Sequence, residues 1–161
     1  MAGAPKYFGL ATTSMDSKNR ITIPAKFRSR LPATSDGKVL LYVMLGADFR
    51  HLDIFDQESG ERRIEALTGD AGLPSDAQRQ RQQFLAMVEQ VEVDKQGRVL
   101  LPKSHVAYAN LTSEVVVSGN GDHIQLYDPT EAEKANVPVN IEKLEPGAVS
   151  GIYNSTLPEQ G

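Results

Sequence analysis

The sequence predicts a mainly β protein with short helices (α+β), folded as a pseudo-two-fold barrel from two similar halves. One observation is a repeated segment, "DSKNRITIPAKFR" at Asp16–Arg28 and "DKQGRVLLPKSHV" at Asp94–Val106, separated by 94 − 16 = 78 residues. A long pattern that recurs at one offset indicates an internal duplication. The other observation is that apolar runs after both copies end on an aromatic–aspartate pair, Phe55-Asp56 and Tyr127-Asp128.

Each copy of the repeated segment predicts a β-hairpin. In "RITIP", Arg20 and Thr22 alternate with two isoleucines, the pattern of a strand with one buried face. The turn before this strand contains Asn19 in the first copy and Gly97 in the second. Both residue types tolerate the left-handed backbone that a tight hairpin turn requires.

A short helix and two strands follow each hairpin. Pro24 and Pro102 suit the first position of a helix. The strands are "KVLLYVML" and "HLDIFD" in the first half, and "SEVVVSG" and "HIQLYD" in the second. Between the halves, "SGERRIEALTG" and "SDAQRQRQQFLAMVEQ" predict helices, and another short helix is expected at Pro129.

Three segments are predicted along the chain. Residues 1–74 form the first half with a linking helix, and residues 75–135 form the second half preceded by a helix. A four-stranded unit has exposed edges and half a core, so two copies gain stability by pairing and closing a barrel. Residues 136–161 contain prolines and scattered glycines and are expected to be an irregular or disordered tail.

Composition favours a soluble protein of a reducing compartment. The chain has no cysteine, which excludes disulfides and thiolate metal sites. The longest apolar run, "VLLYVML", is too short to span a bilayer, and no signal peptide is apparent. We therefore expect a cytoplasmic protein without a membrane partner.

The charge is unevenly distributed. The net charge is −4, yet residues 16–30 contain five cations and one aspartate, 5 − 1 = +4. A local basic face on an acidic protein is typical of a solvated helix face, and it is also compatible with a nucleic-acid partner.

No pattern in the sequence predicts catalysis. His51, His105 and His123 are isolated in the chain and lack metal-ligand spacing. No Gly-x-Ser-x-Gly motif occurs. The glycine-rich stretch "SGNGD" at Ser118–Asp122 lies between two predicted strands, which favours a hairpin turn over a phosphate-binding loop. We expect neither an enzyme nor a cofactor, a metal or a small-molecule substrate.

The two motifs resemble the MraZ family, whose halves are AbrB-like swapped-hairpin barrels. The family signature is Asp-x-x-Gly-Arg, a strand and Pro, once in each half; here it is "DSKNR…IP" and "DKQGR…LP". "PAKFR" and "YANLTSEVVVSGNGDHIQLYD" also look like the family, and the resemblance covers Tyr7 to Glu133. Asn19 replaces the usual glycine, Val106 stands where an arginine is usual, and Asn110 replaces another glycine.

This resemblance implies a bacterial transcriptional regulator that is cytoplasmic and nucleoid-associated. Members of the family bind double-stranded DNA at short direct repeats in the promoter of the division and cell-wall gene cluster that encodes them. They assemble as ring-shaped homo-oligomers and need no cofactor.

Seven cations are the candidate DNA-binding residues. We expect Arg20 to contact base edges, while Lys18 and the cations of the following helix hold phosphates. The alternative for Arg20 and Arg98 is an ion pair with Asp16 or Asp94 that braces the hairpin. The full set is Lys18, Arg20, Lys26, Arg28, Arg30, Lys95 and Arg98.

Two other functions stay open. One is an antitoxin-like DNA-binding barrel that binds a toxin through its C-terminal tail, although such proteins usually carry one copy per chain. The other is a protein-interaction scaffold that does not bind DNA.

Overall fold

The computed structural model describes residues 6–68, 72, 74–139, 141–148 and 150. Its strands form a six-stranded antiparallel sheet and a separate two-stranded ribbon, with short helices around them, which confirms a mainly β α+β fold. The strands are β1 Leu10–Ser14, β2 Arg20–Thr22, β3 Val39–Leu45, β4 Leu52–Asp56, β5 Glu89–Val93, β6 Arg98–Leu100, β7 Glu114–Gly119 and β8 His123–Tyr127.

In the described ranges, five α-helices and one 3₁₀ turn accompany the strands. They are α1 Ala25–Arg28, α2 Gln57–Thr68, α3 Ser75–Ala86, α4 Lys103–Tyr108, α5 Pro129–Lys134 and a 3₁₀ turn Ile141–Lys143. Two sequence expectations are wrong in detail. Pro24 and Pro102 stand at the N-cap of α1 and α4, one residue before the first helical position. The predicted helix through Gln90 ends at Ala86, because the following residues pair as β5 with β3.

The large sheet shares its strands between the two halves. Its order is β1-β7-β8-β4-β3-β5. Exchanging each strand for its counterpart, β1 with β5, β7 with β3 and β8 with β4, gives the same order reversed. The first strand of each half therefore pairs inside the other half, which is the swapped arrangement that the resemblance implies. The pseudo-two-fold axis passes between β4 and β8, where Asp53 is opposite Gln125.

The ribbon repeats this symmetry on a smaller scale. β2 and β6 pair antiparallel with Ile21 opposite Val99, the two equivalent residues of the repeat. Two further backbone hydrogen bonds flank them, from Ile23 N to Gly97 O and from Leu101 N to Asn19 O, each 2.9 Å. Each hairpin turn is thereby bonded to the return strand of the other hairpin.

The larger of two hydrophobic clusters in the described residues lies between the sheet and the ribbon. Ile21 and Val99 of the ribbon are 1% exposed and belong to the same cluster as Val43, Val117 and Leu126 of the sheet. The predicted barrel is thus a core enclosed by two sheets, with β1 and β5 as the edges of the larger one.

The recurring aromatic–aspartate pairs have a structural explanation. Asp56 and Asp128 stand immediately before α2 and α5, and their carboxylates accept hydrogen bonds from the first turn of each helix. The acceptors are Asp56 Oδ1 from Ser59 N at 2.9 Å and Asp128 Oδ2 from Thr130 N at 3.1 Å. Aspartate is a preferred N-cap because it satisfies N–H groups that have no partner inside the helix.

Histidines that are isolated in the sequence meet at the pseudo-two-fold axis. His51 Nε2 lies 3.0 Å from Asp53 Oδ1, and His123 Nε2 lies 3.4 Å from the same oxygen. His51 stacks on Tyr127 and His123 stacks on Phe55, each with ring centroids 4.5 Å apart. The pattern "HLDIFD" and "HIQLYD" therefore encodes two equivalent stacks around one half-buried carboxylate.

The tail is partly described. Val137 packs against α5, and a 3₁₀ turn follows at Ile141–Lys143, so the segment from 136 is irregular up to residue 139. Residues 140, 149 and 151–161, for which a disordered tail is predicted, lie outside the described residues. The boundaries 1–74, 75–135 and 136–161 stay predictions.

Candidate nucleic-acid interface

Asp16 organises the first hairpin turn. Its Oδ1 accepts hydrogen bonds from the backbone N–H groups of Lys18 and Arg20, both at 2.9 Å. Its Oδ2 accepts a hydrogen bond from Arg20 Nε at 2.8 Å. Asn19 completes the turn in the left-handed region with φ 64°. One carboxylate thus fixes both the turn and the guanidinium that follows it.

Asp94 organises the second turn in the same way. Its Oδ1 accepts from the backbone N–H groups of Gln96 and Arg98 at 2.9 Å, and its Oδ2 from Arg98 Nε at 3.1 Å. Gly97 takes the left-handed position with φ 81°. The two halves therefore present the same Asp–Arg unit twice.

These hydrogen bonds keep both aspartates ionised. The backbone N–H of Arg20 is the largest cause that lowers the pKa of Asp16, and the backbone N–H of Arg98 does the same for Asp94. The bracing ion pairs that were the alternative for Arg20 and Arg98 are present. Each pair uses Nε, and a guanidinium has five donors, so donors remain for another acceptor.

Both arginines lie on the outward face of the ribbon. Ile21 and Val99 point into the core, and side chains alternate along a strand, so Arg20 and Arg98 point the other way. Their side chains are 34% and 35% exposed. The predicted base-contacting residue Arg20 and its counterpart are therefore brought together on one surface.

The two predicted lysines occupy the hairpin tips. Lys18 and Lys95 are both exposed. They are not equivalent in the repeat: Lys18 corresponds to Gln96, since 96 − 18 = 78, whereas Lys95 corresponds to Ser17. Each tip nevertheless presents one ammonium group to solvent.

Lys26 and Arg28 of α1, and Arg30 two residues beyond it, contact other parts of the protein. Arg28 donates from Nη2 to Lys95 O at 3.2 Å and from Nη1 to Gln96 O at 3.4 Å. Lys26 donates to Leu10 O at 2.7 Å, and Arg30 lies over the Phe8 ring at 4.9 Å. All three side chains are exposed and can reach a phosphate. The phosphate contacts expected of them stay a prediction.

Arg28 makes the two motifs unequal. It connects α1 to the tip of the second hairpin, whereas its counterpart Val106 packs against the core. The second hairpin tip therefore has an additional cation beside Lys95. The sequence pattern shows that Arg28 lacks an equivalent, but only the swapped topology places it against the opposite motif.

We expect Gly97→Ala to destabilise the protein by about 1 to 2 kcal/mol, because alanine is strained at positive φ. The new Cβ would also lie 2.5 Å from Arg28 Nη1 and displace that guanidinium from the hairpin tip. Urea denaturation of Gly97→Ala and of Asn19→Gly measures the effect. Asn19→Gly is the control, because glycine fits the φ of 64° that Asn19 adopts. Equal stabilities for wild type and Gly97→Ala would contradict the strain expected of alanine at this turn.

Sequence reasoning missed the two histidines at the axis and the exposed side chain of Leu100 on the ribbon. The recurrence of His before each aromatic–aspartate pair was the available signal for the first. In the described part of the chain, no group of three histidine, cysteine or acidic residues has the geometry to hold a metal ion. None of the described helices combines the length and the hydrophobicity that a membrane span requires.

Comparison with known proteins finds similar sequences of one family. Residues 84–136 match a family model described as "MraZ protein, putative antitoxin-like". The chain is similar to the transcriptional regulator MraZ of Thioalkalivibrio sulfidiphilus, with 30% identity over 74% of this chain and 78% of that protein.

Two further relatives carry the same name. The transcriptional regulator MraZ of Anaeromyxobacter dehalogenans is 30% identical over 76% of this chain and 83% of that protein. The one of Mycoplasmopsis pulmonis is 29% identical over 86% of this chain and 89% of that protein. With both Asp–Arg hairpins in place and this similarity over most of its length, the chain belongs to the MraZ family.

Proposed function

We propose that this protein is a sequence-specific regulator of transcription that binds double-stranded DNA. Its binding sites are short direct repeats in the promoter of the bacterial division and cell-wall gene cluster, and it binds them as a ring-shaped homo-oligomer. The names of the relatives support the regulatory role, and the family resemblance supports the operator and the ring.

The main support for DNA binding is the pair of arginines on the outward face of the ribbon. Arg20 and Arg98 lie on that face, each held by an aspartate at about 3 Å through Nε and through the backbone of its turn. The major groove admits a two-stranded ribbon, and a guanidinium binds guanine O6 and N7 with two hydrogen bonds. Holding the side chain in place before binding reduces the entropy lost on binding.

Cations near the ribbon support contacts with the phosphate backbone of DNA. Lys18 and Lys95 project from the two hairpin tips, and Arg28 lies against the second tip. Cations that neutralise phosphates release counterions and make binding sensitive to salt. The chain as a whole is acidic, so this surface is the part of the molecule suited to DNA.

The size of the ribbon explains the need for several protomers. β2 and β6 contain three residues each, so one ribbon spans roughly 10 Å of groove at about 3.4 Å per residue. That is on the order of three base pairs, at about 3.4 Å per pair. Repeated binding sites and repeated protomers supply the affinity that one such contact lacks.

Fluorescence anisotropy tests the proposal with DNA from upstream of the gene cluster, scrambled DNA of the same composition, and two salt concentrations. We expect wild type to prefer the upstream DNA, and Arg20→Ala to weaken that binding at least about ten-fold, more than it weakens binding to scrambled DNA. Arg62→Ala is the matched control, because Arg62 also pairs with a carboxylate four residues away, Glu58, but lies on α2.

The comparison of the two DNAs distinguishes base readout from a bracing role of Arg20 and from a protein partner. Equal weakening on both DNAs would give Arg20 a role in bracing the hairpin without base readout. Equal and weak binding of wild type to both DNAs would contradict the proposal. It would favour a protein partner, with a toxin bound by the C-terminal tail as the candidate. Sedimentation of the same samples reports whether a ring forms.

A further inference from the structure

Leu100 is an apolar side chain on an otherwise polar face. It is 58% exposed, although its neighbours Val99 and Leu101 are each 1% exposed. Single exposed leucines are common on protein surfaces. This one differs in its position, because it lies on the outward face of the ribbon that carries Arg20 and Arg98.

The strand register places Leu100 beside Arg20. The two residues are directly opposite in the antiparallel pair β2–β6, as are Thr22 and Arg98. Side chains of directly opposed residues point to the same face, with Cβ atoms about 5 Å apart. The outward face therefore consists of two arginine-containing pairs, Arg20 with Leu100 and Arg98 with Thr22.

The pseudo-two-fold axis relates the two arginine-containing pairs to each other, so a residue that differs between them breaks the symmetry of the outward face. Thr22 and Leu100 are equivalent in the repeat, since 100 − 22 = 78. The two arginines alone would let the ribbon lie in a groove in either of two opposite directions. Leucine on one side and threonine on the other distinguish those directions. DNA offers a matching apolar group, the C5-methyl of thymine, which lies in the major groove and binds apolar side chains.

We propose that Leu100 is a specificity-determining residue that contacts the C5-methyl group of a thymine next to the base bound by Arg20. This contact fixes the direction in which the pseudo-symmetric ribbon lies on each repeat. The inference rests on the proposed DNA binding and adds the identity of a base and a direction to it.

Replacing thymine by uracil tests the contact, because it removes one methyl group and leaves base pairing unchanged. Each thymine of the upstream DNA is replaced in turn, and binding is measured by fluorescence anisotropy with the full chain. For wild type we expect one thymine in each repeat at which uracil weakens binding by about four-fold, the value for one buried methyl group. Leu100→Ser should bind thymine and uracil DNA equally at that position. It should still prefer the upstream DNA to scrambled DNA, because Arg20 is retained.

Leu144→Ser is the matched control, since Leu144 is 42% exposed and distant in sequence from the ribbon. It should keep the wild-type sensitivity to uracil. Wild type without any uracil-sensitive thymine, or Leu100→Ser with unchanged sensitivity, would overturn the inference while leaving DNA binding intact. A change in oligomer mass in Leu100→Ser with unchanged sensitivity would assign Leu100 to a contact between copies of the chain. Failure of wild type to distinguish upstream from scrambled DNA would overturn the proposed function and this inference together.

Discussion

Asp56→Ala is expected to lower the free energy of unfolding by about 3 kcal/mol, the sum of a lost helix cap and a buried hydroxyl without its acceptor. Asp56 is 1% exposed, and its two oxygens serve different elements. Oδ1 caps α2 through Ser59 N, and Oδ2 accepts from the Tyr7 hydroxyl at 2.7 Å. Tyr7 is 1% exposed, so water cannot replace the lost acceptor without rearrangement. Urea denaturation measures the difference.

The pseudo-symmetric counterpart is the control for this prediction. Asp128 also caps a helix, but its second partner is the exposed residue Thr112. Asp128→Ala should therefore lower the free energy of unfolding by only about 1 kcal/mol. Adding Tyr7→Phe to Asp56→Ala should cost less than Tyr7→Phe costs in wild type, because the hydroxyl has already lost its partner. Equal losses for the two aspartate variants would contradict this explanation.

Asp53→Asn is expected to destabilise the protein by about 2 kcal/mol near pH 6 and to do so less as the pH falls. Burial alone raises the pKa of the Asp53 carboxyl, but hydrogen bonds from His123 and His51 outweigh burial and lower it from 3.8 to about 2. A lowered pKa contributes stability above the unfolded value of about 4, at about 1.4 kcal/mol per unit, and that contribution disappears as the pH falls through about 2.

His123 adds a pH dependence in the opposite direction. Burial alone lowers its pKa, but hydrogen bonds to Asp53 and Asp122 outweigh burial and raise it above 6.5. A raised pKa contributes stability that is fully present below 6.5 and is lost as the pH rises through the folded value. The other groups at this site are His51, Gln125, Tyr127 and the Phe55 ring, over which Arg63 lies at 5.5 Å.

Urea denaturation at one fixed protein concentration separates the two titrations. Wild type, Asp53→Asn and His123→Gln are compared at pH 3, 5.5 and 8.5. The difference between wild type and His123→Gln should be larger at pH 5.5 than at 8.5, and the difference for Asp53→Asn should shrink at pH 3. A His123→Gln difference that is independent of pH would show that His123 stabilises the sheet by stacking on Phe55 alone.

Local features of the sequence predicted the two hairpin turns correctly, but not the pairing of the flanking strands, since β1 pairs with β7 and β2 with β6. The turns form because Asp16 and Asp94 each accept hydrogen bonds from the N–H groups two and four residues further on, and because Asn19 and Gly97 tolerate positive φ. These interactions join residues within five positions of one another, so the residue types alone determine them. The same holds for the alternation in β2, which placed Arg20 outward and Ile21 inward.

Contacts between the halves could not be predicted from local features of the sequence. Arg28 was expected on a DNA-facing helix, and the structure shows it bound to carbonyl oxygens 67 and 68 residues away. The helix predicted through Gln90 ended early because pairing with β3 outweighs helical propensity at residues 89–93. His51 and His123 had no partner in sequence and share Asp53 in space.

By itself, the sequence determined the duplication, the two Asp–Arg hairpins, the elements of each half and the family, because each of these depends on residue type and spacing within a short segment. Only the tertiary structure decided how the halves exchange strands, how one carboxylate serves two histidines, and which side chains share the outward face of the ribbon. The physical reason is that strand pairing joins residues far apart in the chain. The order β1-β7-β8-β4-β3-β5 brings each repeat into contact with the other, and the register of β2 with β6 places Leu100 opposite Arg20.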